Sequence, residues 1–387
     1  MKFASLAMMT LGTLTLSLAL SLALPMTAEA RTARSSTTTS AATSTTTNTP
    51  AIDLPASPAS NLSASAGRRT SLNWDAFIDV EGRIWNKEAT ALLPDHGATL
   101  NDAALYLSKD FSRATAVVDL PFFSNYSGSN NFQFSGQKAQ AYVQTSFGQQ
   151  FGVRLGQYDS FFGIEANDSI ARFFANNGLM KSLGVIPYTH TGVQGVMNAD
   201  RFTIRGQIAN PNSAGSIPPS TFPELGGQVR FDSGAAFGAF GFQYGRVRTD
   251  APEKDKVLVE FMGGAAVEKI TFGAQVDIKK SPLTPGADKT GLGIGVLGTY
   301  QHDADLGFGG RFDYLKDMGI VTSVPAGNGA GVANATAENA LLLSFGPSYK
   351  LEQDLTVRGD FTLGSLKPQG GTDETVFGIG LSLVARL

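Results

Sequence analysis

From Leu72 onward the chain alternates apolar and polar residues with a period of two, which places them on opposite faces of extended strands. Between Lys269 and Lys279, one face holds Ile270, Phe272, Ala274, Val276 and Ile278. The other holds Lys269, Thr271, Gly273, Gln275, Asp277 and Lys279. The final segment repeats the pattern, with Phe377, Ile379, Leu381, Leu383, Ala385 and Leu387 opposed to Gly378, Gly380, Ser382, Val384 and Arg386. About sixteen such segments follow one another, each near the length that a tilted strand needs to cross hydrocarbon.

The connections alternate in length. Short ones fall near Asp110, Gly148, Asn198, Ser233, Glu268, Asp303 and Glu352, in residues suited to tight turns. Long ones run over Asn86 to Thr99, Ser124 to Asn131, Asp159 to Pro187, Asn210 to Pro223, Arg248 to Asp255, Ser281 to Lys289, Lys316 to Glu338 and Leu366 to Thr375. Hydrocarbon offers no hydrogen-bond partners, so a sheet that crosses it must close on itself. The fold expected for residues 71–387 is therefore all-β. It is a closed antiparallel transmembrane barrel of about sixteen strands, with short periplasmic turns and long extracellular loops. Trp74, Trp85, Phe151, Tyr244, Tyr300, Tyr314 and Tyr349 lie near strand ends, where interfacial aromatic girdles belong.

The preceding residues read differently. Lys2, the apolar run Ala4 to Leu24, Pro25 and Ala28-Glu29-Ala30 make a signal peptide over 1–30, cleaved after Ala30. Residues 31–70 are rich in Ser, Thr, Ala and Pro, with nothing periodic to bury, and read as a disordered periplasmic tail. Composition narrows the picture further. With no cysteine among 387 residues there are no disulfides, thiolate metal sites or lipid-anchor cysteine, and a net charge of −3 argues against nucleic acid as a partner.

In a channel, the polar face of each strand lines the lumen, because an arginine or lysine facing lipid at mid-depth costs roughly 2–4 kcal/mol. That face carries a basic set of Lys138, Arg154, Arg205, Arg230, Arg311 and Arg358, beside Asp75, Asp79, Asp277, Asp313 and Asp360. The longest connection, Asp159 to Pro187, combines Asp159, Glu165 and Asp168 with Phe161, Phe162, Phe173 and Phe174. Four phenylalanines are out of place in a solvent-facing loop. The third loop is expected to fold into the lumen, its rings on the wall and its carboxylates facing the basic set to form a constriction.

Around this loop the run Gly156-Gln157-Tyr158-Asp159-Ser160-Phe161-Phe162-Gly163 is followed by Arg172-Phe173-Phe174 and Tyr188-Thr189-His190-Thr191-Gly192-Val193. It resembles the OmpL-like β-barrel porin family, in which a strand end, a long insert and a Thr-His-Thr-Gly-Val run come in this order. The motif positions are Gly156, Tyr158, Phe161, Gly163, Thr189, His190, Thr191, Gly192 and Val193. The resemblance implies a porin without catalytic residues. The layout is also similar to the general trimeric porins, which implies a homotrimer. Those usually end in an aromatic residue, whereas this chain ends in Leu387, which bears on its recognition by the barrel-assembly machinery.

The sequence offers little to catalysis. His96 follows Asp95 in the first long loop, which is weak evidence for half of an acid–histidine pair of a surface protease, since an Asp-His dipeptide in a loop is usually exposed turn chemistry; His190 and His302 have no recognisable nucleophile or metal partner, and the Gly291 to Gly295 run has no helix after it to make a nucleotide loop. No catalytic residue, metal or cofactor is expected. The function expected is passive diffusion of small hydrophilic solutes and ions through a water-filled pore in the lipid of the bacterial outer membrane. The alternative is a non-conducting barrel with a structural or surface-interaction role. Inward glycines, Gly293, Gly295, Gly307, Gly309, Gly378 and Gly380 among them, argue for open space in the lumen.

Overall fold

The computed structural model describes residues 72–86, 97–124, 132–136, 138–168, 171–174, 177–182, 184–211, 222–247, 254–284, 287–317, 337–368 and 373–387. The expected signal peptide (1–30), the tail (31–70) and His96 lie outside the described residues. Seventeen strands run antiparallel in one sheet: β1 (Leu72–Trp85), β2 (Gly97–Asp110), β3 (Ala114–Ser124), β4 (Phe132–Phe134), β5 (Gln140–Phe147), β6 (Phe151–Asp159), β7 (Thr189–Ala199), β8 (Phe202–Ala209) and β9 (Glu224–Asp232), continuing below. The remainder are β10 (Ala236–Val247), β11 (Lys254–Val267), β12 (Ile270–Thr284), β13 (Ala287–Gln301), β14 (Leu306–Lys316), β15 (Ala337–Glu352), β16 (Leu355–Pro368) and β17 (Glu374–Arg386). Among the described residues a single short helix, α1 (Leu179–Ser182), lies in the third long loop.

Both β4 and β5 pair with β3, so they share one position in the sheet and the barrel has sixteen strands around its wall. Closure occurs at β1, where Phe77 stands opposite Ala104 of β2 on one side and Arg386 of β17 on the other. No edge is left to seek a partner. Beyond the strands, the amide of Leu387 donates to the carbonyl of Ala76 at 2.8 Å.

Polarity is inverted relative to a water-soluble protein. On β1 the outward Ile84 is 70 % exposed, while the inward Asp79 is 0 % and Arg83 3 % exposed. The same contrast recurs on β17, where Leu381 faces out and Ser382 is buried within. An apolar exterior and a polar interior are what hydrocarbon around a closed sheet demands. Among the described residues no helix is long and apolar enough to cross a membrane.

The seven short turns fall where the alternation places them. Asp200 and Glu268 take left-handed conformations (φ 52° and 51°), as do Gly148 and Gly234, at the tips of the tight reversals. Asp303 accepts the amides of Asp305 (2.9 Å) and Leu306 (2.8 Å), which hold its carboxylate below the ordinary range. One expected long loop is corrected: Ser281 to Lys289 is largely ladder, since β12 and β13 remain paired out to Thr284 and Ala287. Trp74, Phe151, Tyr300 and Tyr349 are exposed near the short-turn rim, as a girdle requires, and the side chain of Trp85 is not described.

Candidate functional site

Between β6 and β7, the described residues 160–168, 171–174, 177–182 and 184–188 turn back into the barrel and lie against its inner wall. Two glycines allow the entry. Gly156 takes φ +131°, with the neighbouring backbone at Ala141 where a side chain would be, and Gly163 takes φ +89°. These are two of the motif glycines. Ser160 then donates its amide to the carbonyl of Tyr188 at 2.9 Å, closing the neck of the loop.

The loop packs by apolar contact in two places. Phe161, Phe162, Leu179, Met180, Val185 and Ile186 are buried against inward residues of the loop-side half of the wall, including Leu258, Leu315, Leu342 and Leu366. Ile164 and Phe174 join Phe237, Met262 and Leu297, with Phe173 alongside. Inward glycines are the seats for these rings: a Cβ on Gly241 would stand 2.8 Å from Phe162, and one on Gly309 would collide with Phe173. The inference of open space from Gly307 and Gly309 is thus corrected, because loop aromatics occupy it. Gly295 and Gly380 likewise face the side chains of Gln275 and Arg83.

Wall side chains hold the loop backbone directly. Gln228 of β9 donates to the carbonyl of Phe161 (2.6 Å), and Glu260 of β11 and Gln275 of β12 accept the amides of Gly163 (2.6 Å) and Ile164 (2.8 Å). Lys279 donates to the carbonyls of Gly184 and Val185, both at 3.1 Å. Sequence reasoning placed Gln275 and Lys279 on the polar face but singled out neither, and passed over Gln228 and Glu260. Their signal was an amide or charge on a face that needed only to be polar.

The basic set is not a single cluster. Arg311 pairs with Glu165 (3.2 Å) and Asp313 (3.1 Å), beneath the ring of Phe174. Lys138, in the break between β4 and β5, pairs with Asp102 (3.3 Å), which Arg172 of the loop also approaches (3.6 Å). Arg154, Arg205 and Arg230 lie on β6, β8 and β9, the first two hydrogen-bonded to the amide oxygens of Gln144 (3.2 Å) and Gln228 (2.8 Å). Arg230 sits near the short-turn rim, paired with Asp232 at 3.0 Å. Arg358 is buried within reach of Asp79 and Arg172.

Of the three loop acids, Glu165 meets a member of the basic set, pairing with Arg311, and it also accepts the amide of Gly178 at 2.5 Å. Asp159 instead accepts from Asn167 at 2.6 Å, because it ends β6 and points along the neck. Asp168 lies among Asp102, Tyr106, Lys138 and Arg172, and burial, then Asp102, push its carboxyl up. Lys181 of α1 donates to Asn167 Oδ1 (2.7 Å) and to the carbonyl of Glu165, and burial lowers it to about 8. A cavity of about 10 Å³ remains beside Glu165, Lys181, Arg311 and Asp313, room for about one water.

His190 is buried, its Nδ1 3.2 Å from Glu224, with Tyr158 opposite it in register. His302 is exposed in a turn beside Asp303. Neither histidine has a nucleophile among these contacts.

Sixteen antiparallel strands closed in one sheet, polar within and apolar without, with a long loop fastened inside, define a barrel of the porin type. The chain belongs to the family described as "Putative beta-barrel porin-2, OmpL-like", whose model matches residues 88–385. Among curated proteins none matches it by sequence.

Several solved barrels share the fold. The outer membrane channel DcaP of Acinetobacter baumannii superposes with a TM-score of 0.62 at 11 % identity, over 82 % of this chain and 97 % of that one. The anion-selective porin from Comamonas acidovorans gives 0.56 at 13 % identity, over 82 % and 99 %. A trimer form of OmpT, an outer membrane protein of Vibrio cholerae, gives 0.54 at 13 % identity, over 82 % and 99 %.

Proposed function

We propose that this barrel is a bacterial outer-membrane porin through which small hydrophilic solutes and ions diffuse passively. The observation that carries the reading is the lumen wall: charged and amide side chains face inward on nearly every strand, around a loop that narrows the passage. Membership of a porin family supports it. On this reading, outer-membrane lipid surrounds the apolar face, a signal peptide over 1–30 directs export and the barrel-assembly machinery inserts the strands. The trimer form described for OmpT supports a homotrimer.

A second reading, a non-conducting barrel with a structural or surface role, draws support from the same loop. Phe173 fills the space over Gly309, and the cavity beside Glu165 measures about 10 Å³. Conductance of the refolded mature protein in a planar bilayer under a salt gradient decides between them. The porin reading expects stable unitary steps with a defined reversal potential. A correctly folded barrel that never conducts would establish the second.

A further inference from the structure

The wall holds the third loop unevenly. The wall members of its two apolar clusters, Phe237, Leu258, Leu297, Leu315, Leu342 and Leu366 among them, stand on β10, β11 and β13–β17. The side chains that bond its backbone stand on β9, β11 and β12, with contacts between 2.6 and 3.1 Å. On this side the rings are seated and the carbonyls and amides are met.

Toward β2 the contact is of another kind. The loop residues that approach it, Asp168 and Arg172, are both charged, and neither belongs to an apolar cluster. Arg172 Nη2 is 3.6 Å from Asp102 Oδ2, too long for a hydrogen bond, and Lys138 approaches that same oxygen at 3.3 Å. Nε and Nη1 of Arg172 are shielded from solvent and have no hydrogen-bond partner among the described residues. Arg358 and Lys181 lie close enough to repel it. A buried guanidinium with unmet donors and so weak a counter-charge opposes the position that holds it.

We propose that the third loop is a gate that parts from β2 at Arg172 while it stays seated on β9–β17, an inference that rests on the diffusion reading above. Parting breaks the hydrogen bond between Asp168 and Tyr106. In return it gives water to the donors of Arg172 and separates the carboxylates of Asp168 and Asp102. Neither apolar cluster has to come apart. The passage opens between the loop and the wall on the side of Lys138, whose side chain is already 17 % exposed.

An ordinary bracing ion pair loosens when either partner is removed. Here the two removals act in opposite directions. Arg172→Met keeps an apolar stem and removes the unmet charge, so it should tighten the closed loop, whereas Asp102→Asn removes the acid that Arg172 approaches and should loosen it.

Hydrogen exchange read by mass spectrometry on the barrel in liposomes, in peptides spanning Arg172, and single-channel dwell times in a planar bilayer test this in parallel. Arg172→Met should slow exchange about tenfold and lengthen the low-conductance dwells, and Asp102→Asn should do the reverse by a similar factor. Arg172 belongs to the loop, so its variant decides the question should Asp102→Asn fail to assemble.

Faster exchange in Arg172→Met would show that the pair is a brace and overturn the gate. Unitary steps whose dwell times and exchange neither variant alters overturn it too, and leave the diffusion reading standing. A barrel that never conducts, yet whose exchange moves in the two expected directions, overturns diffusion and upholds the release of the loop at Arg172.

Discussion

Arg83 on β1 and Asp360 on β16 form an ion pair of 2.5 Å that reaches over β17, the strand between them. Both stand opposite Gly380 in the register, and a Cβ there would lie 2.7 Å from Arg83 Nη2 and 2.8 Å from Asp360 Oδ2. Glu81 accepts from Arg83 Nε at 2.6 Å, and both partners of the bridge are withdrawn from solvent. The missing side chain on β17 is what lets three strands be tied together at the seam where first and last strands meet.

Removing Arg83 strands two buried carboxylates, so Arg83→Gln should cost roughly 3–5 kcal/mol of barrel stability. At the rim, Arg386 and Asp75 are 56 % and 36 % exposed, and Asp75→Asn should cost less than about 1 kcal/mol. Urea unfolding in liposomes measures both. Equal losses would mean that the bridge over Gly380 contributes no more than a surface pair.

The seat of Phe173 on Gly309 predicts a loop variant that leaves the wall intact. Gly309→Val should dislodge Phe173 and Phe174 without breaking the β13–β14–β15 ladder. Limited proteolysis with mass spectrometry should then reveal cleavage within 160–188 that is absent from the wild type. An equally resistant loop would show that the apolar contacts of Phe161 and Ile186 suffice.

Glu165 is the loop carboxylate through which Arg311 is engaged, and Asp313 remains as a second partner when it is changed. Glu165→Gln should therefore lower the unfolding midpoint by an amount equivalent to about 1–3 kcal/mol. In a conducting barrel it should also move the reversal potential toward anions, since one negative charge leaves the passage. An unchanged potential would place the ion path away from this pair.

Burial lowers Lys181 from 10.5 to about 8, which makes loop docking depend on pH. Between those values the undocked loop binds more protons than the docked one, so docking strengthens as pH rises from about 8. Relative to Lys181→Met, the wild type should gain roughly 1–2 kcal/mol between pH 7.5 and 9.5. A constant difference across that range would mean that Lys181 keeps its ordinary value.

The strands were legible because lipid on one side and polar lumen on the other impose alternation on every one of them, as Ile270 to Lys279 shows. Turn chemistry at Asp110, Gly148 and Glu268 then fixed the order of short and long connections. The four phenylalanines of the third loop announced that it is buried. What alternation cannot convey is position around the wall. Glu165 and Arg311 lie 146 residues apart, and nothing local to either foretells their contact. The inward glycines misled for a related reason: an absent side chain reads the same whether the space is empty or holds the ring of Phe173 or the guanidinium of Arg83.

The family match begins at residue 88, after β1 has ended, yet β1 is the strand that pairs with both β2 and β17. A protein trimmed to the matched segment would keep fifteen of the sixteen wall strands and expose two long raw edges. Such a sheet could complete its hydrogen bonds only on another molecule, end to end. The fourteen residues of β1 are thus the clasp that makes this molecule a finite object, where the rest of the chain alone would be a link in a polymer.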